Sequence, residues 1–380
     1  MKRKNKLVFY IDPQSMINLA KYDYMLLENI HLPIMYFCSK YYDYMENKNI
    51  RYKKLFKYNN KRSNLSKAIS YILSYFHLFF YIAIYRPQII HLQWLRIPTF
   101  DYYYFKMVKS LFKSKLVYTA HNLLPHDDSS ERNLDIIYGR FYLLADRIIV
   151  HTHDTKKEMT RIFHVPAESI EVIRHGVIKI ETSEDSYRET EKSLDKQYNF
   201  KDKIVFSSLG YQTYYKGVDI LCDVWANTQE LRNNSHCCLL VAGKSKVDLS
   251  AISNLDNVII VNRKITDEEF LYFLSHTDIC LLTYRDISQS GLLLTAIAEH
   301  VPVLVSNIGG LAEALSIAPI GWTIPKTDFE ELRKAILYLL HHPEEIEKVK
   351  SDTNSWSIIG ENYNWKSIST QTQKLYESLC

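Results

Sequence analysis

The sequence has little of what marks a secreted, disulfide-bonded or nucleic-acid-binding protein. Its six cysteines show no C-x-x-C spacing and are too sparse for a disulfide framework, which favours reduced thiols. The 47 basic and 43 acidic residues nearly cancel, and the resulting charge of +4 does not by itself indicate nucleic-acid binding. Residues 1–4 are basic, but the apolar run at 6–11 is far too short for a signal peptide. We therefore expect a cytoplasmic protein.

The chain instead shows a long alternation of strand-like and helix-like patterns. With 380 residues, 47% of them hydrophobic, it is long enough for two domains. Compact apolar runs alternate with helical periodicity on both sides of residues 181–202. This alternation predicts an α/β fold with two parallel-sheet domains. Residues 181–202 are rich in Glu, Lys, Asp, Ser and Thr and lack apolar periodicity, which is typical of an interdomain linker or mobile loop.

The most informative stretch, residues 284–315, contains two predicted helix starts on either side of one buried strand. The polar and glycine residues of these starts are Ser288, Ser290, Gly291, Gly309, Gly310 and, in the first turn of the second helix, Glu313. Free backbone N–H groups and the positive end of the dipole make a helix start an anion site. Both starts are expected at the carboxyl edge of a sheet, where open α/β folds bind ligands. An ordinary, well-capped αβα segment has the same pattern, and the residues alone leave both interpretations open.

In the first half, a predicted strand at 115–120 leads into a loop with two histidines and several acidic residues. His121, His126 and Asp127 follow the strand end, which makes them candidates for sugar binding or proton transfer. No metal is expected, because His121 and His126 lie on a loop with no compact third and fourth ligand. The structural alternative is a helix-capping Asp127 beside a loop histidine.

Two aromatic helix candidates bear on membrane contact. Residues 65–85 fall short of a spanning length between charges, and we favour a buried helix over an interfacial one. Residues 100–115 interleave tyrosine and phenylalanine with Lys106, Lys109 and Lys113, a pattern typical of a helix on an anionic membrane surface. An amphipathic core helix with a solvated lysine face would look the same, but the aromatic neighbour at 65–85 favours the membrane.

Several motifs resemble those of GT-B-fold glycosyltransferases, most closely the family-4-like group that builds bacterial surface polysaccharides. In the second half, PVLVS at 302–306 and GGLAE at 309–313 resemble the PV(V/L)xS and GG-x-x-E segments of the donor site. In the first half, RPQIIHLQW at 86–94 and HNLLPHD at 121–127 resemble a strand and the acceptor-side loop of the same enzymes. The resemblance extends over nearly the whole chain.

The sequence also departs from the pattern of that group. Its two glutamates, eight positions apart, would fall on Ile287 and Thr295, and neither is acidic. Lys216 matches the lysine that binds the diphosphate, but Tyr211 occupies the usual arginine position. Arg285 is a candidate substitute cation. These departures concern contacts with the nucleotide and the sugar rather than the fold.

The resemblance implies a GT-B architecture, with two Rossmann-like parallel-sheet domains that face a cleft and a C-terminal helix that crosses back to the first domain. The expected boundaries are 1–180 for the acceptor-side domain, 181–202 for the linker, 203–355 for the nucleotide-sugar domain and 356–380 for the returning helix. The expected catalytic residues are His121, His126 and Asp127. The expected donor-binding residues are Lys216, Arg285, Ser288, Ser290, Gly291, Gly309, Gly310 and Glu313.

The implied activity is metal-independent transfer of a sugar from a UDP- or GDP-linked donor to a lipid-linked or glycan acceptor in surface or capsular polysaccharide biosynthesis. No cofactor and no nucleic-acid partner are expected. The expected location is the cytoplasm, with peripheral contact at the inner face of the cell membrane. Two alternatives stay open: a non-catalytic GT-B subunit that binds a partner transferase or lipid carrier, and a nucleotide-sugar epimerase.

Overall fold

The computed structural model describes residues 7–15, 17–42, 45–57, 64–124, 134–287 and 289–380. Contacts between residues divide the chain into two units, the first made of Met1–Gly176 and Asn364–Cys380 and the second of Val177–Tyr363. Within the described residues, each unit is built on one parallel sheet with helices packed against it. The expected α/β fold with two parallel sheets is thus confirmed.

The sheet of the first unit is assembled from short, buried apolar strands. These are β1 (Val8–Ile11), β2 (Ile34–Ser39), β3 (Ile50–Phe56), β4 (Ile89–Leu92), β5 (Lys115–Thr119), β6 (Arg147–Val150) and β7 (Ile170–Val172). Their order across the sheet is β3-β2-β1-β4-β5-β6-β7, and every recorded pairing is parallel. Parallel strands are covered on both faces, and so β1, β2 and β4 are buried at every position rather than at alternate ones.

Helices cover both faces of this sheet. They are α1 (Ile17–Leu27), α2 (Asn64–Tyr85), α3 (Pro98–Phe112), α4 (Leu134–Leu144), α5 (His153–Phe163) and, from the end of the chain, α15 (Trp365–Ser378). The C-terminal helix packs beside α1, where the Ser369 hydroxyl donates to the carbonyl of Leu26. Its apolar residues Trp365, Ile368 and Tyr376 complete a buried cluster with β1 and β2. The predicted return of the C-terminal helix to the first domain is therefore confirmed.

The second unit repeats the plan with six strands among the described residues. The strands are β8 (Ile204–Leu209), β9 (Cys237–Ala242), β10 (Val258–Val261), β11 (Ile279–Leu282), β12 (Val303–Ser306) and β13 (Gly321–Ile324), in the order β10-β9-β8-β11-β12-β13. The helices are α6 (Glu184–Leu194), α7 (Val218–Asn227), α8 (Gln229–Arg232), α9 (Asp267–Ser275), α10 (Gly291–Ala298), α11 (Gly309–Ile317), α12 (Phe329–His341), α13 (Pro343–Ser351) and α14 (Thr353–Asn362). The predicted capping box of α9 is present, with Thr266 and Glu269 each bonded to the other's backbone N–H.

Residues 181–202 are not the unstructured linker that their composition suggested. Helix α6 forms there and packs on α9 within the second unit. Leu194 is buried, Tyr272 donates to the Asp195 carboxylate at 2.8 Å, and Ser186 donates to Glu268 at 3.0 Å. A few apolar contacts and polar bonds on one face are enough to dock a helix whose other faces are charged and solvated.

The C-terminal region differs from the single returning helix expected at 356–380. Helix α14 belongs to the second unit, where Trp356 and Ile359 are buried in the main apolar cluster. Only the chain from Asn364 onward belongs to the first unit. Asn364 caps α15 through a bond from the Lys366 N–H, so the break between the two helices is a capped helix start.

Helix α2 is not the buried helix that the sequence favoured. Tyr75, Leu78 and Ile82 face the sheet and are fully buried, while Phe76 and Ile84 are 59% and 74% exposed. Among the described residues, one helical stretch, Leu65–Tyr85, is long and apolar enough to cross a membrane by length and composition. In its most apolar 18-residue segment, 28% is buried. Because the helix is apolar all round, its periodicity could not show which face would be covered.

Candidate functional site

The carboxyl edge of the second sheet is closely packed around two glycines. Gly217 has φ +72, and a Cβ atom there would lie 2.3 Å from the Thr283 carbonyl oxygen and 2.8 Å from Cγ2 of Thr327. Gly243, with φ +133, approaches the Gly210 carbonyl so closely that a Cβ atom would lie 1.9 Å from it. Both positions therefore require glycine, and the loops after β8, β9, β11 and β13 meet at this edge.

Lys216 places an ammonium group at this edge with few protein partners. Its Nζ atom lies 3.5 Å from the Leu209 carbonyl oxygen and 5.7 Å from the centre of the Tyr284 ring. Burial lowers its pKa to about 8. A buried ammonium with one long hydrogen bond is stabilised by an added anion, because the anion replaces the lost solvation. An anion-binding role for Lys216 therefore stays a prediction.

The first predicted helix start is the capped N-terminus of α10. The Ser290 hydroxyl accepts from the Leu293 N–H at 3.3 Å and lies 3.4 Å from the Tyr284 hydroxyl. A Cβ atom on Gly291 would meet only Cδ1 of Ile178, at 3.7 Å, so the backbone is open on that side. Tyr284 thus connects Lys216 to the start of α10. Ser288 lies outside the described residues.

The second predicted helix start is the N-terminus of α11. Gly309 and Gly310 form its first two positions, and the residue before them, Ile308, provides no side-chain cap. The first N–H groups of α11 are therefore without a side-chain cap among the described residues. Glu313 is the fifth residue of α11 and not, as expected, part of its first turn.

Arg285 does not serve as the free cation that the sequence suggested. Its two terminal nitrogens each lie 2.6 Å from a carboxylate oxygen of Asp219, and its guanidinium stacks 3.9 Å from the centre of the Tyr214 ring. This bidentate pair ties the loop after β11 to α7. The charge of Arg285 is thus already neutralised within the protein.

The three departures from the family pattern have specific surroundings. Thr295 donates to the Gly291 carbonyl at 3.1 Å, and Ile287 packs against the apolar cluster, so neither position offers a carboxylate. The ring of Tyr211 is covered by the ammonium of Lys246, 5.6 Å from its centre. Lys246 lies on the loop after β9 and thus places a cation beside Tyr211. The sequence analysis missed it, although a lysine three positions after Gly243, just past a strand end, was a usable signal.

In the first unit, His121 follows β5 at the carboxyl edge of the sheet, as expected. Its Nε2 atom lies 3.0 Å from the Gln93 side chain and its Nδ1 atom 3.3 Å from Nε2 of His151. The imidazole stacks on Trp94 with ring centres 4.3 Å apart and an interplanar angle of 12°. Gln93, Trp94 and His151 were not predicted as site residues. Gln93 and Trp94 come just after β4, and His151 comes just after β6, the two strands that pair with β5. These positions could have identified them.

Burial favours the neutral form of the histidines at this edge. Burial, together with the neighbouring imidazoles, holds the pKa of His121 well below its usual range. Burial lowers the pKa of His151 to about 4 and that of His175 to about 3. Across the described part of the chain, no three His, Cys, Asp or Glu side chains are grouped so that they could hold a metal ion. His126 and Asp127 lie outside the described residues.

Comparisons with protein families match both halves of the chain. Residues 37–178 match the family described as Glycosyltransferase Family 4, and residues 201–342 match Glycosyl transferases group 1. An uncharacterized glycosyltransferase of Methanocaldococcus jannaschii is 23% identical over 278 residues, which cover 70% of this chain and 69% of that protein. The two family matches include most of the residues that form both candidate sites.

Comparisons with solved structures give the same architecture over the full length. Sucrose-phosphate synthase from Thermosynechococcus elongatus superposes with a TM-score of 0.71 at 17% identity, covering 98% of this chain and 99% of that one. Anabaena HepE, solved in complex with UDP, gives 0.69 at 14% identity, covering 98% and 100%. A HepE structure in complex with UDP-glucose gives 0.67 at 14% identity, covering 98% and 99%.

Proposed function

Because this chain belongs to the family-4-like glycosyltransferases of the GT-B fold, we propose that it uses a nucleotide-diphosphate sugar as its donor. The donor is a UDP- or GDP-sugar, and the acceptor is a lipid-linked or glycan acceptor of surface polysaccharide biosynthesis. Solved structures of the same fold that contain UDP and UDP-glucose support a UDP-linked donor.

The observation that carries the proposal is the position of the Lys216 ammonium at the carboxyl edge of the second sheet. Tyr284 connects it to the start of α10, and Lys246 lies at the same edge beside Tyr211. The leaving group of the reaction is a diphosphate, whose negative charge grows as the glycosidic bond breaks. Cations and helix N-termini fixed in place stabilise that charge without reorganisation. The protein itself supplies these charge-stabilising groups. We therefore propose that catalysis proceeds without a bound metal.

In the first unit, we assign His121 to the sugar or the acceptor hydroxyl. A neutral imidazole can accept a hydrogen bond or a proton, and burial keeps this one neutral at physiological pH. Stacking on Trp94 and the contact with His151 fix the orientation of its ring. His126 and Asp127 remain proposed partners on the same loop, and either of them is a candidate base if the enzyme inverts the anomeric configuration.

A ligand screen tests the donor assignment directly. Thermal unfolding of the full chain is measured with UDP, GDP and their sugars, each at increasing concentration. A ligand at 100 times its dissociation constant stabilises the protein by about 2.7 kcal/mol. We expect stabilisation by uridine or guanosine diphosphates and none by the matching nucleosides. Equal shifts with nucleoside and nucleotide would contradict a diphosphate site at Lys216.

We also propose that the first unit lies on an anionic membrane surface. Helix α3 exposes Tyr103, Met107 and Leu111 next to the exposed apolar face of α2. Of its lysines, Lys109 is turned to the Leu144 carbonyl and Asp146, at 2.6 and 2.8 Å, whereas Lys106 is exposed. The apolar faces would enter the headgroup region and the exposed lysines would meet lipid phosphates.

The alternative of a non-catalytic subunit is favoured by one observation, the absence of a carboxylate at Ile287 and Thr295. Such a subunit would bind the nucleotide sugar without turning it over. The ligand screen followed by an assay for released UDP or GDP separates the two. Binding with no release in the presence of any lipid-linked or glycan acceptor would favour the subunit over the enzyme.

A further inference from the structure

A cavity lies at the amino edge of the first sheet, where its strands begin. Its volume of about 770 Å³ is within the size range of small-molecule sites. It is lined by residues that precede or begin β1, β2, β3 and β4, among them Leu7, Pro33, Arg51 and Gln88. His121 follows the end of β5, at the opposite edge of the sheet. The cavity is therefore separate from the candidate catalytic site.

Two guanidinium groups line this cavity without a counter-charge. Arg51 is the second residue of β3, and Arg86 directly follows α2. Neither side chain forms an ion pair or hydrogen bond with a described residue, and no described acidic residue lines the cavity. The residues before Leu7 do not supply the missing charge, since their sequence MKRKNK has four cations and no acid.

The surrounding charges leave the cavity positive. The acidic residues on the neighbouring elements each bond to another side chain, as in the pairs Glu28 with Tyr24, Glu46 with Lys54 and Glu377 with Gln373. The C-terminal end of α2 also lies at the cavity and contributes roughly half a negative charge. Two full positive charges outweigh that partial charge.

Regular backbone fixes the positions of both arginines. Arg51 lies opposite Met35 in the parallel pairing of β2 and β3. The Arg86 N–H donates to the Ile82 carbonyl at 2.8 Å, and Pro87 prevents the helix from continuing. The two guanidinium groups therefore start from fixed points on different elements, with the cavity between them.

One wall of the cavity belongs to an exposed apolar stripe on α2. Its last member, Ile84, lines the cavity together with Tyr85, and both are exposed. At 1.5 Å per residue the stripe is about 28 Å long. No charged residue occurs between Lys67 and Arg86. An apolar surface thus leads into a positively charged cavity. The members of the stripe are Leu65, Ile69, Ile72, Leu73, Phe76, Phe80 and Ile84.

We propose that the cavity binds the headgroup phosphate of an anionic phospholipid and that the apolar stripe contacts its acyl chains. The inference rests on the proposed membrane attachment and names the lipid class that is recognised there. Arginine suits this role, because its planar guanidinium bonds two phosphate oxygens at once. A second copy of the apolar helix would cover the stripe but leave Arg51 and Arg86 without a counter-charge. A free phosphate or an acidic peptide would neutralise the arginines but leave the stripe uncovered.

Calorimetric titration of the full chain tests the inference. The probes are dihexanoyl phosphatidylglycerol, dihexanoyl phosphatidylcholine, inorganic phosphate and a hexaglutamate peptide, with each lipid below its micelle concentration. Phosphatidylglycerol is expected to bind at least tenfold more tightly than each of the other three. Arg51→Gln with Arg86→Gln is expected to lower that affinity at least tenfold. UDP affinity, measured on the same preparation, is expected to stay at the wild-type value and shows that the variant is folded.

The control is Lys106→Gln with Lys113→Gln, which removes two exposed lysines outside the cavity and is expected to bind the soluble lipid as wild type does. Equal binding of phosphatidylglycerol and inorganic phosphate would assign the cavity to a free anion, and equal binding of hexaglutamate would assign it to an acidic peptide. Either result, or an unchanged affinity in the arginine variant, would overturn the inference. Sedimentation of wild type with vesicles tests membrane attachment separately, and UDP titration tests the donor site.

Discussion

Nδ1 of His121 lies 3.3 Å from Nε2 of His151, while Nε2 of His121 lies 3.0 Å from Oε1 of Gln93. Nδ1 of His151 lies 2.9 Å from the Ile173 carbonyl, which can only accept, so the proton of a neutral His151 is on Nδ1. His151 can then only accept at Nε2, and Oε1 of Gln93 can likewise only accept. A neutral His121 has one N–H for these two acceptors, so one of its ring nitrogens faces an acceptor with a lone pair.

Replacing His121 with alanine is expected to lower turnover at least tenfold, equivalent to about 1.4 kcal/mol in the barrier, while UDP affinity stays near wild type. The affinity is unaffected because the proposed diphosphate site belongs to the second unit. Steady-state rates and calorimetry on one preparation provide both values. A variant with a lower melting temperature but a full rate would assign His121 a purely structural role.

Replacing Lys216 with alanine is expected to weaken UDP binding by roughly 1.5–3 kcal/mol, the value of a charged hydrogen bond. Lys326→Ala is the matched control, since its ammonium lies near the same sheet edge but is exposed and paired with Asp328. The control is expected to leave the affinity unchanged, because the Lys326 ammonium is exposed and already paired with Asp328. Equal affinities for both variants in calorimetry would place the diphosphate elsewhere.

Replacing Gly217 with alanine is expected to destabilise the protein by at least about 1–3 kcal/mol, because φ +72 is strained for any residue with a Cβ. Contact with the Thr283 carbonyl adds to that cost. Gly360→Ala in α14 is the control, because no atom outside its own helix turn lies within 4 Å of the new Cβ. There alanine is expected to stabilise by up to about 1 kcal/mol. Denaturant midpoints show whether each variant is destabilised or stabilised. A Gly217→Ala variant as stable as wild type would show that the edge can rearrange.

Acidification is expected to destabilise the first unit. Burial lowers the pKa of His151 to about 4, while the unfolded chain titrates near 6.5, so the unfolded state binds more protons below pH 6.5. Stability is therefore constant above about pH 6.5 and falls towards pH 4. At pH 5, His151 alone lowers the free energy of unfolding by about 2 kcal/mol relative to its value above pH 6.5.

His151→Gln removes this contribution, so its loss of stability between pH 7.5 and pH 5 is expected to be smaller than that of wild type by about 2 kcal/mol. His153→Gln, an exposed neighbour, serves as the control and should follow wild type. Unfolding curves at the two pH values provide the comparison. Identical losses for all three proteins would mean that His151 is accessible to protons in the folded state.

Membrane attachment is expected to depend on both the apolar stripe and the lysines. Phe76→Ser with Phe80→Ser, or Lys106→Gln with Lys113→Gln, should release the protein from phosphatidylglycerol vesicles. Added salt should weaken attachment of the wild type, since it screens surface charges. Ile162→Ser, an equally exposed apolar residue on α5, is the control for sedimentation. Sedimentation of all variants alike, or of none, would rule out this surface.

The sequence predicted the strands well because a parallel sheet requires continuous apolar runs, which β1 and β9 show plainly. It failed where packing rather than pattern decides. Helix α6 has mostly charged residues, and its docking depends on contacts with α9 about 80 residues away. Helix α2 is apolar on every side, so nothing local indicates which face stays exposed.

The donor site stays a prediction, and the structure shows why its charges could not be inferred from local sequence. Ser290 and Lys216 could be identified from local turns, whereas the pairing of Arg285 with Asp219 joins residues 66 positions apart. The same limit applies to Lys246, which meets Tyr211 only after β8 and β9 have paired. Cations are common in the sequence, but the fold determines which of them pair with an acidic residue and which stay available to a ligand.

The position of α15 in the first unit has a consequence for how the chain folds during synthesis. Tyr376 contacts His91 inside the first unit across 285 positions of sequence, and Trp365 closes over Gly176. The first 176 residues therefore leave the ribosome without the helix that covers one face of β1 and β2. The second unit is one continuous segment, so all of its residues have been synthesised before α15. We expect the domain that is translated first to be the one that reaches its native state last.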